Sequence, residues 1–315
     1  GLLLFGISVI YGFTGTTNLE DLRLLFCLGL AKNVSLQIGI TFLTCAFLFK
    51  IASAPFHIWN PDVYDGSPIN STFFLAVVPK IPIILIIIRV YLFSFGSQPE
   101  IWQQLFSLSA FLSVLVGSFL ALKQRKLKRL FAYSSIGHIG YILLGIAASG
   151  IHGLHATILY LIVYTITSLG TWSLILSLVF YDSSKQTATL SDFSSISQTN
   201  SLLTLNGILL LFSLAGIPPL TGFYAKFCIF IAAINSSFYI NSLLILVTSV
   251  ISTYYYIRLV KVLCFETKIK RVKVFNIPKE VALILSISSS SLLFLFVNPN
   301  FLWLIGYKLS VHFYF

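Results

Sequence analysis

The sequence predicts an all-α polytopic membrane protein, with about nine transmembrane helices at roughly 20 apolar residues per span. Two of these helices are expected to be broken. Three observations carry the prediction. Hydrophobic residues make up 57% of the 315 residues and charged residues only 9%, against about 25% charged in a soluble domain. The mean hydropathy is +0.94. The apolar residues fall in long runs separated by polar punctuation. A water-soluble globular fold is excluded, and so is a disordered chain, which needs high charge and few aromatics. Runs this continuous do not suit barrel strands, and only helices and closed barrels satisfy the backbone in lipid.

Taken in order, the runs place spans at 1–13, 36–54, 71–93, 101–122, 130–149, 153–180, 202–235, 240–264 and 280–297, with a tail at 301–315. They read as one membrane domain over 1–315. Position 1 is Gly inside a hydrophobic run and Met is absent, so the sequence reads as incomplete or processed at its start.

The charges set an orientation. Lys123, Arg125, Lys126, Lys128 and Arg129 lie between two spans, Lys185 two spans later, and Lys268, Lys270, Arg271, Lys273 and Lys279 two spans after that. All three loops fall on one side, the cytoplasmic or matrix side by the positive-inside rule. The other side carries Arg23, Lys32 and Glu100. The net charge of +11 therefore reflects topology first and anionic lipid binding second, with cardiolipin the candidate lipid. It does not point to nucleic acid. Cys27, Cys45, Cys228 and Cys264 are scattered without metal-ligand spacing and read as small apolar side chains. No cofactor or metal is expected in this chain.

Charges inside the hydrocarbon need a reason, because each costs roughly 2.5 to 3.5 kcal/mol on insertion scales. Lys50, Lys80 and Lys226 lie near the middle of their runs. Lys126 and Lys128, next to a loop, are expected to snorkel to the interface. Pro55 follows Lys50 within SAPFHIWNP, and Pro218–Pro219 precede Lys226 within LAGIPPLTGF. Proline breaks a helix, and the freed carbonyls then need burial in protein or a water-filled cavity. The two broken spans run in opposite directions, with the lysine before one break and after the other. That is the pattern of inverted-topology repeats. Residues 1–93 read as the remainder of a first repeat, 101–264 as a second, and 265–315 as a C-terminal helix and tail.

On the next span, Ser134, His138 and Tyr141 share a helical face. Thr157, Tyr160, Tyr164, Ser168 and Thr171 follow at spacings of three and four. Such residues either glue helices together or wall a hydrated path. Histidine is the residue type whose ordinary titration lies near neutrality, which suits His138 to proton relay. A lysine in a low-dielectric interior holds its proton less tightly, so a moving carboxylate can load and unload it. The sequence has no GxxxxGK[ST] loop, haem motif or iron–sulfur cysteines, so the work of pumping is expected from another chain.

The same residues carry a resemblance. FKIASAPFHIWNPDVYDGSP, VVPKI, LKRLFAYSSIGHIGY and LAGIPPLTGFYAKF together resemble the antiporter-like N-type membrane subunits, subunit 2, of NADH–ubiquinone oxidoreductase, respiratory complex I. The resemblance covers nearly the whole chain in order. It implies proton translocation driven by quinone reduction elsewhere in the complex, with other membrane subunits as partners. It also implies roles: Lys50 as the lysine of a lysine–glutamate pair, Lys80 as a central relay, Lys226 as the exit-side lysine and His138 as a further relay group. GLLLFGISVIYGFTGTTNLEDL resembles the sixth helix of the full-length form and its following loop. The helix bearing the glutamate partner of Lys50 is then expected on a separate polypeptide, with loss of those helices or an incomplete sequence as the competing readings. The abundance of Phe and Tyr, 29 and 15 residues, and the divided subunit favour the mitochondrial inner membrane over a bacterial plasma membrane. A cation/proton antiporter subunit and a structural membrane spacer that does not pump are the alternatives.

Overall fold

The computed structural model describes residues 1–28, 33–181, 189–195, 200–266 and 278–314. Among these residues there are no strands, only helices and their connections. Helix α1 (Leu2–Thr14) stops at Gly15, which takes a left-handed conformation (φ 69°) and donates its N–H to the Tyr11 carbonyl. Helix α2 (Leu19–Cys27) starts where the Asn18 side chain accepts from the Glu20 N–H, and it is bent 60° from α1. Helix α3 (Val34–Lys50) ends at the first break. Beyond the break come α4 (Trp59–Gly66), α5 (Ile69–Val77) and α6 (Lys80–Ile88), the last extended by a π-helical turn (Arg89–Ser94). Helices α7 (Pro99–Leu122), α8 (Leu127–Ala147) and α9 (Gly150–Tyr181) follow, then a 3-10 turn (Leu190–Ser195). Next are α10 (Ser201–Ala215), the second break, α11 (Thr221–Asn235), α12 (Tyr239–Phe265), α13 (Lys279–Val297) and α14 (Pro299–Tyr314).

Among the described residues, six helices are long and apolar enough to cross a membrane, or seven if α1 and α2 form one bent span. The expected nine is not reproduced by length alone, and the reason is local. Span 36–54 stops at Lys50, and run 202–235 divides into α10 and α11, leaving apolar helices of 17, 15 and 15 residues. The tail at 301–315 is helical as α14. It packs on α9, where His155 Nε2–H donates to the Trp303 carbonyl (3.3 Å).

Helix α8 lies at the centre. Its apolar stretch is 89% buried and that of α9 78%, against 33% for the span Ile69–Ser94, so α8 and α9 form the core and the others its wall. Helices α7 and α8 approach at backbone distance. A Cβ on Gly117 would stand 2.5 Å from the Gly137 nitrogen and 2.9 Å from the Tyr133 carbonyl, which is the close approach that small residues permit in lipid.

The basic residues between α7 and α8 are tied to neighbouring segments at one end of the bundle. Lys126 pairs with Asp65 (2.8 Å) and Arg129 with both Asp62 (3.0 Å) and Asp65 (3.1 Å). Leu190 N–H donates to the Arg125 carbonyl (3.2 Å), and Arg258 reaches the Leu122 carbonyl (3.5 Å). At the opposite end Gln103 donates to Ser149 (2.7 Å) and Ser236 to the Ala148 carbonyl (2.6 Å). Lys32, Lys185, Lys268, Lys270, Arg271 and Lys273 lie outside the described residues. Lys128 corrects the snorkelling expectation. It is only 3% exposed, and its Nζ donates to the Ser67 carbonyl (2.7 Å), tying α8 to the linker after α4.

Asp65 lies outside the spans, so its titration reports this latch. Burial pushes its carboxyl up. The Lys126 hydrogen bond and the charges of Lys126, Arg129 and Lys128 outweigh this and hold it below the usual carboxylate range. A lowered pKa contributes stability above the unfolded value of about 3.9 and loses it as pH falls through the folded value. The melting temperature in detergent should therefore drop on acidification below about pH 4, and Asp65→Asn should remove that part of the drop. Lys126 and Arg129 are 49% and 40% exposed, so the effect is at most about 1 kcal/mol. A pH profile identical in Asp65→Asn would contradict the latch.

Candidate proton-relay site

Three of the four candidate residues converge. Lys80 opens α6 directly after Pro79, and its side chain points into the core, with the residue only 7% exposed. Its Nζ donates a long hydrogen bond to the Tyr164 hydroxyl (3.4 Å). It also lies near the rings of Tyr64 (5.8 Å) and Tyr164 (5.9 Å). Aromatic faces attract a desolvated cation, and among the described residues no carboxylate pairs with this amine.

His138, buried on α8, is held at both ring nitrogens. Nδ1 lies 2.7 Å from the Tyr160 hydroxyl and Nε2 3.1 Å from the Tyr256 hydroxyl. A neutral imidazole donates from one nitrogen and accepts at the other. A proton arriving from one phenol can therefore leave toward the other as the tautomer exchanges. The His138 ring also packs against Tyr164, centroids 5.2 Å apart. That contact links it to Lys80 through one side chain.

Lys226 is explained by the break it follows. Helix α10 ends with Gly216 in a left-handed conformation (φ 79°), and its last carbonyls face the interior. Lys226 Nζ donates to two of them, Leu214 (3.0 Å) and Ala215 (2.8 Å). A cation at a helix C-terminus satisfies orphan carbonyls and complements the macrodipole. A Cβ at position 216 would stand 2.8 Å from Lys226 Cδ, so the glycine also makes room for the amine. Lys226 is 8% exposed, and its Nζ lies 5.5 Å from the Tyr141 ring. Between His138 and Lys226 is a cavity of about 10 Å³, walled by Ser118, Ser134, Tyr141, Thr248 and Ser252 among others. That is room for about one water molecule.

Lys50 is not part of this cluster. It is the last residue of α3 and is exposed, although Leu48 and Phe47 just before it are buried. The other helices of this chain cover one face of α3 and leave the Lys50 side open. The polar face on α9 divides as well. Thr157, Ser168 and Thr171 donate to carbonyls of their own helix, whereas Tyr160 and Tyr164 reach into the site. Two contributors were not singled out from the sequence. Tyr64 lies inside the DVYDG stretch, and Tyr256 inside the Tyr254–Tyr256 run. That run was the available signal, since three adjacent phenols in a span cannot all face lipid.

A family model described as NADH:quinone oxidoreductase/Mrp antiporter, TM, matches residues 1–252. The chain belongs to this family. NADH-ubiquinone oxidoreductase chain 2 of Marchantia polymorpha is 39% identical over 316 aligned residues, covering 99% of this chain and 63% of that protein. NADH-quinone oxidoreductase subunit N of Paramagnetospirillum magneticum is 40% identical over 299, covering 94% and 60%. This chain thus spans about three-fifths of the length of these curated relatives. Among solved structures, a chain of respiratory complex I from Thermus thermophilus superposes with a TM-score of 0.77 at 28% identity, covering 96% of this chain and 64% of that one. A chain of the Mrp complex from a Dietzia species shares the fold, with a TM-score of 0.86 at 21% identity and coverage of 99% and 65%. The antiporter-like helical fold read from the motifs, and the relationship to chain 2 and subunit N, both hold.

Proposed function

We propose that the chain is a proton-translocating membrane-arm subunit of respiratory complex I, the H+-translocating NADH:ubiquinone reductase, in the mitochondrial inner membrane. The observation that carries this reading is the buried line Lys80, Tyr164, His138, Lys226, with phenols on both nitrogens of the imidazole. The names of its relatives, NADH-ubiquinone oxidoreductase chain 2 and NADH-quinone oxidoreductase subunit N, support it. Moving one charge against 100 mV costs about 2.3 kcal/mol. This chain's residues hold and pass protons, and electron transfer in other subunits supplies the work.

Protons enter and leave by Lys80, His138 and Lys226, with Lys226 the exit-side group. Lys50 acts at the chain's surface. Its exposure at the end of α3 suits pairing with a glutamate carried by a neighbouring polypeptide, which would also cover the open side of α3. The other partners are further membrane subunits of the complex and anionic lipid, cardiolipin above all, on the basic face. The two breaks, one in 1–93 and one in 101–264, fit the halves of an inverted repeat.

The test is the proton-to-NADH ratio of the assembled complex in liposomes. Lys80→Ala and Lys226→Ala should each remove this chain's share of the protons while NADH oxidation with a short-chain quinone continues. An unchanged ratio in both variants would favour the structural spacer. The family description also covers Mrp antiporters, so a cation/proton antiporter is the second reading. Sodium-driven proton movement without NADH would favour it.

A further inference from the structure

The two breaks are closed by different donors. A helix leaves its last four carbonyls without intrahelical partners, and at a break inside the membrane each needs another donor. At the end of α10, Gly216 N–H donates to the Phe212 and Ser213 carbonyls and Ile217 N–H to Phe212. The last two carbonyls, Leu214 and Ala215, accept from Lys226 Nζ. Here the lysine is itself the cap.

At the end of α3 other groups take these places. Ile51 N–H donates to the Phe47 carbonyl (3.0 Å), Ser53 N–H to Leu48 (3.1 Å) and Ala52 N–H to Phe49 (3.1 Å). Ala52 holds the left-handed conformation that such a helix stop uses (φ 59°). The Ser53 hydroxyl adds a second bond to the Leu48 carbonyl (3.1 Å). The Phe49 carbonyl receives its second bond from across the break. Trp59, the first residue of α4, donates its Nε1–H to it (3.1 Å). The indole also stacks on the Phe49 ring, with centroids 5.9 Å apart and planes at 29°. A carbonyl oxygen has two lone pairs, so that of Phe49 is fully engaged. A lysine in the last turn of a helix bonds the last carbonyls where they are open, drawn by the macrodipole. Lys50 directly follows Phe49, yet among the described residues it has no hydrogen-bond or ion-pair partner and it is exposed.

We propose that Trp59 is a positioning residue for Lys50. Its indole N–H occupies the helix-end acceptor that the Lys50 ammonium would otherwise cap, and this leaves the ammonium free to meet a carboxylate on a neighbouring polypeptide. The two breaks thereby use their lysines in opposite ways. Lys226 is tied to its own chain, and Lys50 is held out for a partner. The inference rests on the pairing of Lys50 in the reading above and is independent of the line from Lys80 through His138 to Lys226.

Acetylation by N-hydroxysuccinimidyl acetate, read by mass spectrometry of the full chain in a maltoside detergent, reports whether the Lys50 amine is free when no partner is present. Trp59→Phe keeps an aromatic ring on Phe49 and removes the N–H. Lys50 acetylation should then fall by roughly tenfold, the shift that one hydrogen bond to a charged group carries. Lys123, exposed at the basic end, should label as before. Trp59→Gln keeps an N–H and loses the stack, and should label like the parent. Unchanged Lys50 labelling in Trp59→Phe, or an equal loss in both variants, would overturn the proposal. In the assembled complex in liposomes, Trp59→Phe should lower the proton-to-NADH ratio and have no further effect in a Lys50→Ala background. A further loss in that background would show a structural role unrelated to Lys50 and overturn the proposal too. Labelling that falls as expected with an unchanged proton ratio would overturn the pairing of Lys50 while upholding the geometry, so the two failures are distinct.

Discussion

His138→Phe should stop proton transfer between Lys80 and Lys226 and leave the helices packed. Phenylalanine fills nearly the same volume against Tyr164, whose ring centre is 5.2 Å away, but it offers no nitrogen to Tyr160 or Tyr256. Positioned proton-transfer groups typically contribute 10²- to 10⁴-fold, so a loss of roughly 100-fold in flux through this chain is expected. The Tyr160 hydroxyl loses its His138 partner, at about 1 to 3 kcal/mol where no water replaces it, whereas Tyr256 keeps Ser134 and Tyr255. Tyr160→Phe in the same background should recover that stability without recovering flux. His138→Gln keeps two polar atoms and should fall between. Dye-quench assays in liposomes read the flux, and melting in detergent reads the stability. Full flux in His138→Phe would remove the histidine from the path.

The second large effect is structural. Gly117 faces Gly137 across the α7–α8 contact, and even a methyl group there would meet the Gly137 backbone at 2.5 Å and 2.8 Å. Backbone cannot move aside as a flexible side chain can. Overpacking of a tight core costs about 1 to 3 kcal/mol for added methylenes and more where backbone must shift. Gly117→Leu should therefore separate α7 from α8 and lower the amount of assembled complex severalfold, with Gly117→Ala milder. Loss of α7 also opens the wall that Ser118 and Val114 give to the cavity beside His138. Normal assembly and melting of Gly117→Leu would show that the two helices are not held at this distance.

Much of this was legible in the residues. Lys80 and Lys226 stand out because a charge in an apolar run is costly, and the prolines beside them mark breaks whose carbonyls need donors. The structure makes Lys226 that donor, a link that neither residue reveals alone. His138 was visible by its chemistry, and its two phenol partners were only half visible. Tyr160 fell on a polar helical face, whereas Tyr256 sits on a distant helix, where the Tyr254–Tyr256 run signals that one of the three phenols points inward but not which. Lys128 was misread because distance from a loop in sequence says nothing of what packs over it. The count of nine spans is not confirmed by helix length, because the break within 202–235 leaves α10 and α11 each too short to register as a span alone. Lys50 was expected deep in the protein, but burial depends on neighbours, and this chain leaves that face of α3 open.

The account stands on Lys80 and Lys226 belonging to one path through His138, and non-additivity measures this directly. Residues that act as one unit lose function together, so removing the second after the first costs little more. Proton flux per NADH oxidised should be compared in Lys80→Ala, Lys226→Ala and the double variant, all in the assembled complex in liposomes. The account predicts a double variant no worse than the weaker single. Losses that multiply would place the two lysines on separate routes and contradict it.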